Sequence, residues 1–174
     1  MLDKALELIV TQLDQHLRRC FQMNEDLARL SHLLERDGSP VPQCDNKVVV
    51  FLVGIEANDN SRQVMDAETG GFARRGSSSP AKWNLLVMFA ANFDGNNYPE
   101  ALKLLSSTIQ FIEECPVLNR DNAPSLDPQV GKLLLSIQNM PVPEVASLWN
   151  MHNNGRYLPS VLCRVQVLGY MSEA

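Results

Sequence analysis

Basic residues are in deficit in this sequence: 15 lysine and arginine residues stand against 20 aspartate and glutamate residues, which gives a net charge of −5. Proteins that bind nucleic acid draw much of their affinity from clustered lysine and arginine that neutralise phosphates. The densest basic spots are Arg18 with Arg19 and Arg74 with Arg75, and neither pair extends into a stripe. The composition therefore argues against a nucleic-acid partner.

Long apolar runs and paired cysteines are also missing. The longest apolar stretches, residues 48–53 and 85–91, are much shorter than the roughly 20 residues of a membrane-spanning helix. The chain opens with an amphipathic pattern rather than the apolar block of a signal peptide. Its four cysteines are far apart and form no C-x-x-C pair, unlike those of a secreted disulfide scaffold. We therefore expect synthesis in the cytoplasm, reduced thiols and no membrane partner.

The motifs that identify common enzyme classes are missing as well. The sequence has no glycine-rich phosphate loop, no dinucleotide-binding glycine pattern and no G-x-S-x-G elbow. The histidines His16, His32 and His152 are not spaced as the pair of an H-E-x-x-H zinc site. Since folding can bring distant residues together, Cys163 with His152 stays a minor catalytic alternative. The sequence predicts no catalytic residue, no metal site and no cofactor.

What the chain does have is the material for a hydrophobic core. Hydrophobic residues make up 45% of its 174 residues and charged residues 20%, as in ordinary globular proteins. At this length, folding hides roughly 70% of the surface of the unfolded chain, so a core forms without a metal or a disulfide. We expect residues 1–174 to form one domain.

The periodicity predicts an α/β (α+β) domain in which helices flank a mixed central β-sheet. Apolar residues recur every three or four positions over residues 2–21, which predicts an amphipathic helix against a sheet face. Residues 47–57 and 83–92 predict central strands, the first of them buried on both faces. Apolar and polar residues alternate over 160–168. That alternation is typical of an edge strand or of a half-exposed strand, and residues 160–168 are our candidate edge, with an internal strand as the alternative.

Proline and aspartate indicate where further helices begin. Pro99 suits the first turn of a helix that ends at about Glu114. Asp127 and Pro128 predict the start of another helix. The inner face of that helix would carry Val130, Leu133, Leu134 and Ile137. A shorter helix is predicted over 143–152, and we expect its Trp149 in the domain core.

Two segments are less regular. Residues 26–34 fit either a helix or a short strand. Residues 58–80 are polar and rich in glycine and serine, and loops of this length in compact domains are usually functional or disordered. We expect a mobile loop there.

Three segments together resemble a known family. Residues 46–56 read NKVVVFLVGIE; residues 83–93 read WNLLVMFAANF and are followed by NYPEAL at 97–102; LW at 148–149 precedes GRYLPSVL at 155–162. In this order the segments resemble the N-terminal domain of the tube-terminating cap protein of extracellular contractile injection systems. These are phage-tail-like particles of the antifeeding-prophage and virulence-cassette kind.

The resemblance implies a fold like that of phage tail terminators and a structural role. The cap of this family is a ring, expected to be sixfold, that sits on the last layer of the inner tube and binds the end of the contractile sheath. For this chain it implies a ring of identical copies, tube and sheath proteins as partners, and cytoplasmic assembly into a particle that is later released. The alternative is a module of the same architecture that binds a small molecule or a peptide.

Five residues are candidates for the partner interface. Arg74 and Arg75 lie in the predicted loop, where they would meet acidic tube or sheath surfaces. Arg164 and Gln166 are the polar positions of the predicted edge strand, and edge strands can accept a strand from a partner. Tyr157 is of a residue type that is enriched in protein interfaces.

Overall fold

The computed structural model describes residues 2–57, 83–128 and 130–169. In chain order the elements are α1 (Leu2–Phe21), β1 (Ala28–Leu30), β2 (Lys47–Ala57), β3 (Trp83–Asn92), α2 (Tyr98–Glu114), β4 (Val117–Asn119), β5 (Val130–Gln138), α3 (Val142–Asn153) and β6 (Ser160–Gly169), with a 3-10 turn at Gly95–Asn97 before α2. The predicted mobile loop at 58–80, with Arg74 and Arg75, lies outside the described residues.

The strands form one mixed sheet in the order β1-β2-β3-β6-β5-β4. β1 runs parallel to β2, and every other neighbouring pair is antiparallel. The predicted class, a mixed sheet flanked by helices, is confirmed. The two outermost strands have only three residues each, so they cover only part of the longer strands beside them.

The main core lies on the side of the sheet that α1 and α2 cover. α1 turns its apolar stripe inward, and Ile9, Leu13 and Leu17 are completely buried. They pack with α2 and with alternate strand residues such as Phe89 and Val165. Burial of such side chains is the main favourable contribution to folding. This side is called the α1–α2 face below.

The opposite side, called the α3 face, is covered less completely. Trp149 of α3 is 2% exposed and packs with Phe51 and Leu33 into a second core, which confirms the prediction that it is a core residue. α3 and the segment around Leu33 cover only part of this face. Arg164 and Gln166 of β6 therefore stay half-exposed on it.

The entry of the chain into β1 depends on a side chain from α1. The Asp14 carboxylate accepts hydrogen bonds from the backbone N–H groups of Leu27 (2.7 Å) and Ala28 (3.1 Å). Arg18, one turn further along α1, lies 3.5 Å from the other oxygen of this carboxylate. The side chain of Asp14 is only 14% exposed, so its charge-assisted hydrogen bonds are partly shielded from water. Asp14 thus fixes where β1 begins beneath α1.

The helix predicted from Asp127 is wrong, because the chain enters β5 at Val130 instead. Asp127 and Pro128 belong to a turn in which the Val130 N–H donates to the Asp127 carbonyl. Leu133 and Leu135, two positions apart, are both buried, as a strand requires. Pairing of β5 with β4 and β6 outweighs the local signal for a helix start.

β6 is a strand, as predicted: the candidate edge position is wrong, and the alternative of a half-exposed internal strand is confirmed. It lies between β3 and β5 and has partners on both sides. Its buried residues, such as Cys163 and Val165, point to the α1–α2 face, and Arg164 and Gln166 point to the α3 face. The alternation arises because α3 covers its face incompletely. A half-exposed face and an open edge give the same pattern in sequence.

Two further predictions, for residues 26–34 and for β2, are confirmed in whole and in part respectively. Of the alternatives for residues 26–34, the short strand is confirmed as β1. Burial of β2 on both faces holds only for residues 48–51, because the strand becomes half-exposed or exposed from Leu52 onwards.

Replacing Asp14 by alanine tests the junction between α1 and β1. We expect the free energy of unfolding to fall by about 1–3 kcal/mol, because the N–H groups of Leu27 and Ala28 lose a charged acceptor. Urea unfolding followed by circular dichroism measures the change. Asp26→Ala is the matched control: Asp26 is 70% exposed and lies 3.6 Å from Arg18, so its loss costs about 0–1 kcal/mol. Equal losses in the two variants would contradict this role of Asp14.

Candidate docking surface

The incompletely covered α3 face forms a groove beside α3. Its volume is about 530 Å³. The lining is mainly apolar and comes from the sheet, from α3 and from the segment before α3: Val53, Leu86, Met140, Leu148 and Leu162. An open apolar groove of this kind suits contact with a protein surface better than it suits enclosure of a reaction.

A charged pair crosses the floor of the groove. Nη2 of Arg164, on β6, lies 3.3 Å from the Glu56 carboxylate, on β2, so the ion pair spans β3. The two side chains are 37% and 46% exposed, and water therefore weakens the pair. Asn84 of β3 lies opposite Glu56 on one side and opposite Gln166 on the other, which places all four polar residues on the α3 face.

Four buried polar side-chain atoms on this side of the sheet have no partner among the described residues. They are Oδ1 of Asn84 and Nε of Arg164 on the strands, and Nε1 of Trp149 and Nε2 of His152 on α3. A buried polar atom left unpaired costs about 1–3 kcal/mol, so water or a bound partner normally satisfies it. A partner that covers the α3 face could therefore bury its apolar groove and supply hydrogen bonds to these atoms.

Tyr157 extends this surface past the end of α3. Its ring is 59% exposed and meets the buried ring of Trp149 edge-on at 5.8 Å. Of the five interface candidates, the structure thus places Arg164, Gln166 and Tyr157 on the side of α3. Arg74 and Arg75 lie outside the described residues.

A second exposed surface lies along the outer side of β2. β1 pairs only with residues 48–50, and no strand in the described parts of the chain pairs with this side of residues 51–57. Leu52, Ile55 and Trp83 are 36%, 47% and 46% exposed there, on the α1–α2 face but beyond the helices. An unpaired strand edge with apolar neighbours is a common site of protein association.

The catalytic pair of Cys163 with His152 is ruled out by where the two residues lie. Cys163 is buried in the core of the α1–α2 face, where burial raises the pKa of its thiol to about 12. His152 lies on α3, across the sheet, with its ring 5.1 Å from that of Phe51. Burial, and then the nearby His32, lower the pKa of His152. Neither group is placed to activate the other.

Residues 2–57, 83–128 and 130–169 contain neither a candidate metal site nor a candidate membrane span. In these ranges no three histidine, cysteine, aspartate or glutamate side chains are grouped so that they could hold a metal ion. The helices in the same ranges are all too short or too polar to cross a membrane.

Sequence reasoning missed Glu56 and Asn84 of the α3 face and the open side of β2. A signal for the first two was present, since each is a polar residue within an otherwise apolar strand. The open side of β2 left no such signal, because it depends on how short β1 is.

Comparison with known proteins identifies a family. Residues 5–174 match the family model described as the Pvc16 N-terminal domain. No curated protein matches the chain. A solved structure of the PVC sheath/tube terminator, from an extracellular contractile injection system in its extended state, is similar at 14% identity with a TM-score of 0.54. This similarity covers 94% of this chain and 57% of the terminator.

A second solved structure, the tube-terminating cap of the anti-feeding prophage (AFP), is similar at 14% identity with a TM-score of 0.49. The similarity covers 94% of this chain and 54% of that one, so the chain spans little more than half the length of either solved protein. At this identity the PVC likeness establishes the shared fold. The family model spans nearly the whole chain and confirms the resemblance drawn from the sequence. The chain belongs to the Pvc16 N-terminal domain family.

Proposed function

We propose that this chain is a structural cap that ends the inner tube and the sheath of a contractile, phage-tail-like injection particle. It acts as a ring of identical copies at the distal end of the particle. The observation that carries this proposal is the match of residues 5–174 to the Pvc16 N-terminal domain. The fold shared with the PVC sheath/tube terminator supports it.

The distribution of exposed groups fits a protein that works by docking. Exposed Leu52 and Ile55 lie along a strand edge, and the unpaired polar atoms lie on the open α3 face. Cys163 and His152 are separated by the sheet. A terminator must match the end of a polymer on one side and present no copy of that end on the other. A ring closed by contacts between unlike surfaces meets both demands. The proposed role is therefore non-enzymatic.

Within this role, the α3 face is the side that meets the tube end. Arg164, Gln166 and Tyr157 lie on it, next to the groove, and aromatic and arginine residues contribute strongly to protein interfaces. Arg74 and Arg75 remain predicted contacts to acidic tube or sheath surfaces. Assembly takes place in the cytoplasm, and the cap then remains part of the released particle.

A binding module for a small molecule or a peptide is the second candidate. The groove volume of about 530 Å³ falls within the range of small-molecule sites. A thermal-shift screen separates the two functions, because a saturable shift with a single compound favours the binding module over the cap.

Purified tubes test the cap function directly. Gold-labelled chain, added to tubes of the same particle, should appear by negative-stain microscopy at one tube end only, because a cap recognises the exposed final layer. It should also stop tube growth when present at far fewer copies than tube subunits. Labelling along the tube wall, or no labelling at all, would contradict the proposal.

A pair of tyrosine variants tests which face meets the tube. Tyr157→Ala should weaken binding to tube ends about tenfold or more, as truncation of an interface aromatic commonly does. Tyr98→Ala is the matched control, because Tyr98 is 50% exposed but lies on α2, at the opposite face of the sheet. Binding of labelled chain to tubes, measured by co-sedimentation, gives both affinities. The assignment of the α3 face fails if Tyr98→Ala has the larger effect.

A further inference from the structure

A cluster of aromatic rings holds α3 on the sheet. The Phe51 ring, on β2, lies 6.5 Å from the Trp149 ring and 5.1 Å from the His152 ring, measured between ring centroids. Trp149 in turn meets Tyr157 at 5.8 Å. Within α3 the buried residues are Trp149 and Asn153. The packing of α3 therefore depends strongly on the rings around Phe51.

Two polar atoms of α3 in this contact have no hydrogen-bond partner among the described residues. They are Nε1 of Trp149 and Nε2 of His152, three residues apart on α3. Residues at this spacing are neighbours on one side of a helix, and both rings lie against Phe51. Buried polar groups without a partner weaken the packing that contains them. This contact is therefore easier to open than the apolar contact that α1 makes with the main core.

His152 is the member of the cluster that can gain a positive charge near neutral pH. Two effects favour the charged form: His152 lies in the last turn of α3, and the Phe51 ring is within the distance of a cation–π contact. Two effects oppose it, namely burial and the nearby His32, and they prevail, since the pKa of His152 is lowered. The neutral form of His152 is therefore the one that fits the closed contact.

A polar pocket of about 300 Å³ shows what else faces His152. The charged or titratable groups that line it beside His152 are His32, Glu35 and Arg36, all from the segment that follows β1. Glu35 and Arg36 carry opposite charges, so their effects on a charged His152 oppose each other. The other lining residues, including Phe51 of β2, are uncharged. His32 is thus the neighbour that opposes protonation of His152.

We propose that α3 is a pH-sensitive element of the fold: protonation of His152 weakens the contact with Phe51 and raises the population of chains in which the C-terminal end of α3 has left the sheet. A charged ring in this cluster regains water when that end of α3 moves outward. The same movement separates His152 from His32. The inference concerns the chain by itself and does not depend on the cap function.

The direction of the pH effect follows from the lowered pKa of His152. In the open state His152 is in water, where its pKa is about 6.5, and in the closed state its pKa is lower. The open state therefore binds more protons at pH values between the two. The closed contact is fully stable above about pH 6.5 and loses stability as the pH falls through the lowered value. One proton changes this equilibrium by at most about tenfold per pH unit.

Hydrogen exchange measures the opening. In the wild type, protection factors of the amides of residues 146–153, corrected for the intrinsic effect of pH on exchange, should fall several-fold between about pH 7.5 and pH 5. His152→Phe keeps a ring but cannot be protonated, so its protection should not depend on pH over this range. His32→Gln should show a smaller fall, because it removes the lesser of the two causes.

His16→Gln is the matched control. His16 lies on the α1–α2 face, with its ring 5.6 Å from that of Phe111 and Nε2 3.2 Å from the Ser107 hydroxyl. Its loss should leave the pH response of residues 146–153 as in the wild type. A response that disappears in His16→Gln, or that persists in His152→Phe, would overturn the proposal.

Two measurements on the wild type keep the proposal testable if a variant fails to fold. The ring protons of His152, followed by NMR, should titrate at lower pH in the folded chain than in the chain unfolded in urea, and an equal or higher midpoint refutes the inference. The amides of α3 should also be less protected than those of α1 at every pH. Equal protection would show that α3 opens only when the whole domain unfolds.

Discussion

The antiparallel pairing of β3 with β6 is the contact on which the rest of the domain depends. It runs from Trp83 opposite Val167 to Ala90 opposite Ser160 and joins the two halves of the sheet. Such pairing between distant parts of the chain carries a large entropy cost. Alternate side chains of the two strands offset that cost by entering both cores. The helices then pack on a fixed surface, and the part of the sheet that they leave uncovered forms the candidate docking surface.

Uneven covering of this sheet links the fold to its proposed role. α1 and α2 bury their face, whereas α3 leaves a groove on the other, and the three-residue strands β1 and β4 leave longer neighbours partly unpaired. The unpaired backbone groups of a strand edge promote aggregation unless a specific partner pairs with them. The α3 face and the outer side of β2 are therefore the surfaces of the described residues on which a partner would cover exposed groups.

Sequence patterns predicted a helix or strand correctly where the pattern is compatible with only one type of secondary structure. The bounds of α1, β2 and β3 agree with the prediction, because a long amphipathic stripe and unbroken β-branched runs have few alternative structures. The errors came from ambiguous patterns. Leucines that suited both periods made β5 look helical, and the alternation in β6 suited an edge as well as a half-covered face. Arg164 and Gln166 were proposed as interface residues for an incorrect reason, since β6 is central.

The sequence by itself determined the composition of the core, the class of fold and the family, since these depend on residue types and on spacing along the chain. Only the tertiary structure decided the strand order, the separation of Cys163 from His152 by the sheet, and the lack of an outer partner, among the described residues, for β2 beyond residue 50. The physical reason is that strand neighbours are chosen by contacts between residues far apart in the chain. Hydrophobic periodicity records which side chains are buried but not which strand lies alongside.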